Sequence, residues 1–193
     1  VAGLLARRAA NEHAPITFVP CDNISGNGEM IEVVLRDTAA AVDPTLGAWI
    51  DANCGFVTTM VDRITPRPTD ADLEAVRRER GVDDPAVVVT EPFTEWVLSG
   101  EFPGGRPQWE TSGARFVDDI EAFETRKLWL LNGSHSLMAY AATILGIETV
   151  YDAIRDERVR GWVEEWWDVA ARHLPLPPEE IRSYRAALVE RYE

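Results

Sequence analysis

From about residue 121 to its last residue the chain carries only helical periodicity, whereas its first twenty residues hold a helix followed by a short apolar run. A chain so divided reads as an α/β unit followed by a mainly α-helical domain. Residues 1–13 read as a helix, and 16–20 as a buried strand ending in the polar tip Cys21-Asp22-Asn23. That is how a parallel α/β unit finishes. A helical pattern through Met30, Ile31, Val34 and Leu35 runs toward residue 52, with a break near Pro44. Residues 56–66 start extended and turn at Pro66 and Pro68, and 70–80 form a charged helix whose acidic first half and Arg-rich second half suit its dipole. Residues 86–90, 95–98 and 115–117 read as a small β-sheet insertion, linked by the Gly/Pro-rich stretch 100–107. Helices are expected over 121–144, 147–154, 157–173 and 178–192, with Pro178 suited to a first helical position. No internal repeat interrupts this order.

Charge removes several function classes. The balance of 19 Lys and Arg against 33 Asp and Glu gives a formal charge of −14. Such acidity argues against nucleic acid, which requires a basic footprint, and against an anionic membrane surface. No apolar run reaches the ~18 residues needed to span a bilayer. Cys21 and Cys54 are the only cysteines. Their spacing is unpatterned, which excludes a disulfide scaffold and a four-cysteine zinc site and fits a reducing compartment, the cytoplasm. The chain opens without Met and closes inside a helical pattern, so both ends read as cut from a longer protein.

The stretch with most chemistry is 124–136, where Lys127, Asn132 and His135 sit at i, i+5 and i+8. On an ideal helix at about 100° per residue they fall near 0°, 140° and 80°, an arc shared with Leu131 and Met138. A lysine pressed toward an apolar interior loses solvation, and its pKa falls toward the range of a general base. A carboxamide offers N–H donors to an oxygen on which negative charge develops. Together the three suit removal of a proton from an alcohol. The bland reading stands beside this one. A lysine near a helix start commonly snorkels to solvent, and an inner-face Asn or His is commonly a hydrogen-bonded core group.

Lys127-x4-Asn132-x2-His135 resembles the active-site motif of the mannitol dehydrogenase family, polyol-specific long-chain dehydrogenases that include fructuronate (mannonate) reductases. Phe56-Val-Thr-Thr-Met-Val-Asp62-Arg63-Ile64-Thr65-Pro66 resembles the family's Val-Asp-Arg-Ile signature segment. Cys21-Asp22-Asn23 followed by Asn27-Gly28 resembles the turn that ends the cofactor domain, and Glu91-Pro92-Phe93-x-x-Trp96 and Gly105-Arg106-Pro107 fit as well. The resemblance implies an NAD- or NADP-dependent oxidoreductase, monomeric or homodimeric, acting on a small polyol or sugar acid without zinc. It implies that Lys127 is the general base in oxidation and the acid in reduction. Asn23 and Asn132 would hold the reacting oxygen, with Asn23 also at the cofactor. His135 would position the substrate, and Asp62 and Arg63 would lie at the substrate side.

It further implies that residues 1–25 are the remnant of a dinucleotide-binding domain and 26–193 a truncated catalytic and substrate domain. Gly26-x-Gly28 has Ile31 where a third glycine belongs, so it is no phosphate-binding fingerprint. The chain alone is therefore expected to hold NAD weakly. The 102–110 and 130–136 segments lean toward mannonate over mannitol, by resemblance only. A substrate carboxylate would want an Arg clamp, and any such Arg could lie beyond residue 193. With three histidines, zinc ligands are scarce. The rival reading is a non-catalytic helical interaction protein descended from such an enzyme. Trp162, Trp166 and Trp167, with Val163 and Val169, are expected to line one buried helix stripe. Asp118-Asp119 reads as helix capping, and the Asn23 and Asn132 glycosylation triplets as incidental.

Overall fold

A computed structural model describes residues 1–11 and 13–193; residue 12, placed by the sequence in the tail of the first helix, lies outside the described residues. Helix α1 (Ala2–Ala10) turns Leu5 inward and ends in Arg7 and Arg8, cations that suit the negative end of the helix dipole. Strand β1 (Ile16–Phe18) pairs in parallel with β2 (Cys54–Phe56). Parallel pairing demands a crossover, supplied by α2 (Asn27–Val42) and α3 (Leu46–Asn53), with the break at Pro44 where the sequence put it. Leu5, Leu35, Ala39, Leu46 and Ile50 form the core of this α/β layer, and Phe18 stacks on Phe56 at 5.5 Å.

Helix α2 meets the next strand with almost no room between backbones. A Cβ at Gly28 would lie 2.5 Å from the amide nitrogen of Thr58. Gly28→Ala is therefore expected to destabilise the protein by about 1–3 kcal/mol, as overpacking against a main chain that cannot yield does. The denaturant midpoint measures it, and an unchanged midpoint would show the contact to be slack.

The small sheet runs in the order β3 (Thr58–Asp62), β4 (Glu95–Ser99), β5 (Arg115–Phe116), antiparallel and then parallel. Its inner face buries Met60 and Val97 against Ile120 and Phe123. Residues 86–90, expected as a strand, are irregular, and β3 takes their place in the sheet. The β-branched run Ala-Val-Val-Val-Thr is alternately exposed and half-buried, with Val88 69% exposed, and among the described residues no strand pairs with it. Just past the segment, the N–H of Glu91 donates to the carbonyl of Ile64 over 3.1 Å. Helix α4 (Asp70–Arg80) has the expected bounds, opened by a Thr69–Asp72 capping box and closed by left-handed Gly81.

The helical part contains α5 (Glu121–Arg126), α6 (Gly133–Leu145), α7 (Val150–Arg155), α8 (Glu157–Ala171) and α9 (Pro178–Tyr192). Thr149 and Asp156 cap α7 and α8 with side-chain oxygens. The single helix expected over 121–144 is instead α5 and α6 joined by a π-helical turn, Lys127–Asn132. The tryptophan stripe also needs correction. Val159, Val163, Trp167 and Ala170 face the core, whereas Trp162 is 43% and Trp166 39% exposed, and Val169 is exposed too. A 3.6-residue period cannot put 162, 166, 167 and 169 on one face. Among the described residues no helix is long and apolar enough to cross a membrane.

Candidate active site

Three separate pieces of backbone converge at the end of β3. The Cys21–Asn23 turn after β1 is the first, and buried Asn27 fastens it to the second, β3 itself. The Asn27 amide donates to the carbonyls of Thr59 (3.0 Å) and Asp22 (3.2 Å), and its oxygen accepts from the N–H of Thr59 (2.9 Å). Thr59 Oγ1 in turn donates to the carbonyl of Pro20 at 2.5 Å. One buried amide thus ties the turn to the middle of the strand. The Glu124 carboxylate adds a tie from α5, accepting from the N–H of Gly26 at 3.1 Å.

The third piece is the π-turn, which brings Lys127 inward. Its ammonium donates to the carbonyl of Val61 at 2.7 Å and to Oδ1 of Asn23 at 2.5 Å, leaving one of its three donor directions for a further partner. Lys127 is only 9% exposed. Burial lowers its pKa below the ordinary lysine value, the attraction of Asp62 works against that, and Arg191 reinforces it. Asn132 closes the same turn. In an i→i+5 helix a residue and the fifth beyond it lie about one turn apart. The wide angle expected between Lys127 and Asn132 on an ideal α-helix therefore shrinks, and both line one cleft of about 70 Å³ with Asn23, Asp22 and Thr59.

Asn132 also borders a second cleft of about 260 Å³, with Leu131, His135, Arg191 and Tyr192. His135 is exposed at its edge, its ring parallel to that of Tyr192 at 6.3 Å between centroids. Asp62 lies beneath, buried and fully engaged. It accepts from Arg191 at 2.7 and 3.0 Å and from the Tyr184 hydroxyl at 2.7 Å. Arg191 completes its fork on Glu91 at 2.8 and 2.9 Å. Burial disfavours the Arg191 charge, but the two carboxylates more than offset this and hold its pKa above the usual value. Burial pushes the Tyr192 hydroxyl up to about 12. Arg63 is exposed, donates to the carbonyl of Glu91 at 3.1 Å and lines neither cleft.

The fold therefore gathers Lys127, Asn23 and Asn132 at one cleft, sets His135 on the next and puts Asp62 below as a support. Sequence reasoning quoted Asn27 and Glu91 in matching segments but gave them no role, and missed Tyr184 and Arg191. Tyr184 had a signal, since Ile181, Tyr184 and Leu188 follow helical spacing and are all buried. Arg191 had none, because its partners lie 100 and 129 residues away.

The comparisons with known proteins bear on the same segments. A family model for the mannitol dehydrogenase Rossmann domain matches residues 1–111, and one for the mannitol dehydrogenase C-terminal domain matches 119–193. The D-mannonate oxidoreductase of Escherichia coli is 39% identical over 178 residues, covering 91% of this chain and 37% of that protein. The D-arabinitol 4-dehydrogenase of Ralstonia nicotianae is 37% identical over 194 residues, covering 100% of this chain and 42% of that one. Among solved structures, the Pseudomonas fluorescens mannitol 2-dehydrogenase ternary complex with NAD and D-mannitol superposes with a TM-score of 0.85. It shares 35% identity over 99% of this chain and 39% of its own. The chain thus spans roughly two-fifths of the length of these relatives.

Proposed function

The chain belongs to the mannitol dehydrogenase family, and we propose that the protein carrying it is an NAD- or NADP-dependent oxidoreductase that interconverts a secondary alcohol of a linear polyol or sugar acid with its ketone. The observation that carries this reading is Lys127: a buried amine of lowered pKa, aimed at a cleft that it shares with two carboxamides. In oxidation the neutral amine of Lys127 takes the hydroxyl proton, and in reduction the ammonium returns it. Asn23 turns its oxygen to Lys127, which leaves its amide N–H groups to face the reacting oxygen together with those of Asn132. His135, one helical turn on, holds a neighbouring hydroxyl.

The nicotinamide, when bound, accepts or gives the hydride. The residues present fit its reactive end. Ligands of parallel α/β sheets sit beyond the carboxyl ends of the strands, and the turn after β1 is where Asn23 meets Lys127. A glycine-rich turn for the pyrophosphate is not part of this sequence. Within this reading residues 1–25 close the cofactor domain and 26–193 supply the substrate side, although α2 and α3 share one core with the first group and the Rossmann-domain family model runs on to residue 111. Asp62 acts here through Arg191 and Lys127.

The complete protein, given NAD or NADP with D-mannitol, D-arabinitol or D-mannonate, is expected to form reduced nicotinamide with at least one of them in a saturable manner. No reduction of NAD or NADP with any of the three would overturn the reading.

A further inference from the structure

The π-turn that unites Lys127 and Asn132 has a cost in backbone hydrogen bonding. The N–H of Gly133 donates to the carbonyl of Leu128, the i→i+5 pattern, before α6 resumes the ordinary one. Where an i→i+5 turn gives way to an i→i+4 helix the ladder skips a carbonyl, and a buried carbonyl without a donor is expensive. Three successive carbonyls at this place receive side-chain donors from elsewhere. Trp166 Nε1 donates to Trp129 at 2.7 Å, and Trp167 Nε1 to Leu130 at 2.9 Å. Ser134 Oγ reaches Leu130 at 2.5 Å and Leu131 at 3.1 Å, and the Tyr192 hydroxyl reaches Leu131 at 3.1 Å.

The two indoles come from adjacent positions of α8, and neither is placed by burial alone. Trp167 is in the core, but Trp166 is 39% exposed and still aims its N–H at the turn. Position 133 is glycine for a matching reason. A Cβ there would stand 2.8 Å from Trp166 Nε1 and would drive the indole off its carbonyl. Two consecutive tryptophans and a glycine thus form one device around the turn.

We propose that Trp166 and Trp167 are positioning residues for the Lys127–Asn132 pair, their indole N–H groups pinning the carbonyls of Trp129 and Leu130 so that the turn keeps its i→i+5 form. This rests on the role given above to Lys127. If the pins are removed, the turn relaxes toward an α-helix, Lys127 and Asn132 swing apart, and the amine gains solvent. Two consequences are specific to positioning. The pH at which oxidation levels off rises toward the ordinary lysine value, and the amides of the turn exchange faster.

Trp166→Phe, Trp167→Phe and the double variant, made in the complete protein, keep an aromatic ring and lose the N–H together with the second ring of the indole, which at buried Trp167 also leaves a void. Trp166→Phe, at a partly exposed site, is the variant least exposed to folding failure. The single variants are expected to lose about tenfold in kcat/KM and the double variant about a hundredfold, the scale on which small misplacements act. In each the rising limb of oxidation moves to higher pH and amide hydrogen exchange over 128–134 accelerates. An unmoved limb and unchanged exchange in folded Trp166→Phe and Trp167→Phe would overturn the proposal, even with lower activity. If Lys127→Ala itself proves active, the catalytic reading fails instead, and the exchange measurement decides the brace independently.

Discussion

Lys127→Ala is expected to lower kcat by about 10²–10⁴-fold, the range general acid–base groups contribute, while leaving the protein folded. The loss follows from position. No other lysine occurs in the chain, and the cations that act on this site, Arg191 above all, are guanidiniums that stay protonated. Folding survives because the substitution strips a donor from only two acceptors, the carbonyl of Val61 and the amide oxygen of Asn23. Those cost about 1–3 kcal/mol each if fully buried, and Asn23 lies in an exposed turn where water replaces the lost partner. Lys127→Arg separates charge from basicity. It keeps a cation at the site and loses the proton acceptor, so oxidation falls as far as in the alanine variant.

The pH dependence has a definite sign. With Lys127 in the role proposed above, oxidation needs the neutral amine, so kcat/KM is expected to rise with pH through the lysine's pKa and then level off. Burial sets that pKa below the ordinary 10.5, so the plateau arrives earlier than for a solvated lysine. Reduction needs the ammonium and falls across the same window. A pH–rate profile in both directions checks this, and wild-type turnover in the alanine variant would sink the assignment.

What the sequence made legible depended on how far away the determining partner lay. Helix α4 could be bounded because Thr69, Asp72 and Gly81 carry their own start and stop chemistry, and α9 because Pro178 fixes its first turn. Residues 86–90 carried a strand's β-branched composition without a strand paired to them among the described residues, and pairing is a property of two segments. The residues of the cleft were readable as types, since Lys127, Asn132 and Asn23 are what alcohol chemistry needs. Their geometry was not. A helical wheel assumes about 100° per residue, and nothing in Lys-Leu-Trp-Leu-Leu-Asn announces the i→i+5 turn, whose side-chain donors come in part from 37 and 61 residues away. Asp62 was readable as part of the site and unreadable as a support, because Arg191 and Tyr184 meet it only after the whole helical layer has folded back.

That support is where the largest stability effect is expected. Asp62 is 1% exposed at its side chain and Arg191 5%, and both forks of the guanidinium are taken by carboxylates. Asp62→Ala leaves a buried cation with one partner and a buried tyrosine hydroxyl with none, and is expected to cost about 3–5 kcal/mol. Against a total of about 5–15 kcal/mol, denaturant unfolding will show this plainly. Pairing it with Arg191→Met, a near-isosteric apolar replacement, should cost less than the sum of the singles, because the second change removes the stranded charge. Asp62→Asn keeps the shape and gives a milder loss, which makes it the variant for kinetics. Asp62 holds the lysine pKa up and Arg191 pushes it down. Neutralising Asp62 removes the first influence and leaves the second uncompensated, so the rising limb of oxidation moves to lower pH. Loosening the tryptophan brace moves it to higher pH. Opposite displacements from two sites that flank one amine are what a shared dependence on Lys127 requires. An Asp62→Asn limb that stays in place, or moves upward, would show that the buried network carries the fold without tuning the base.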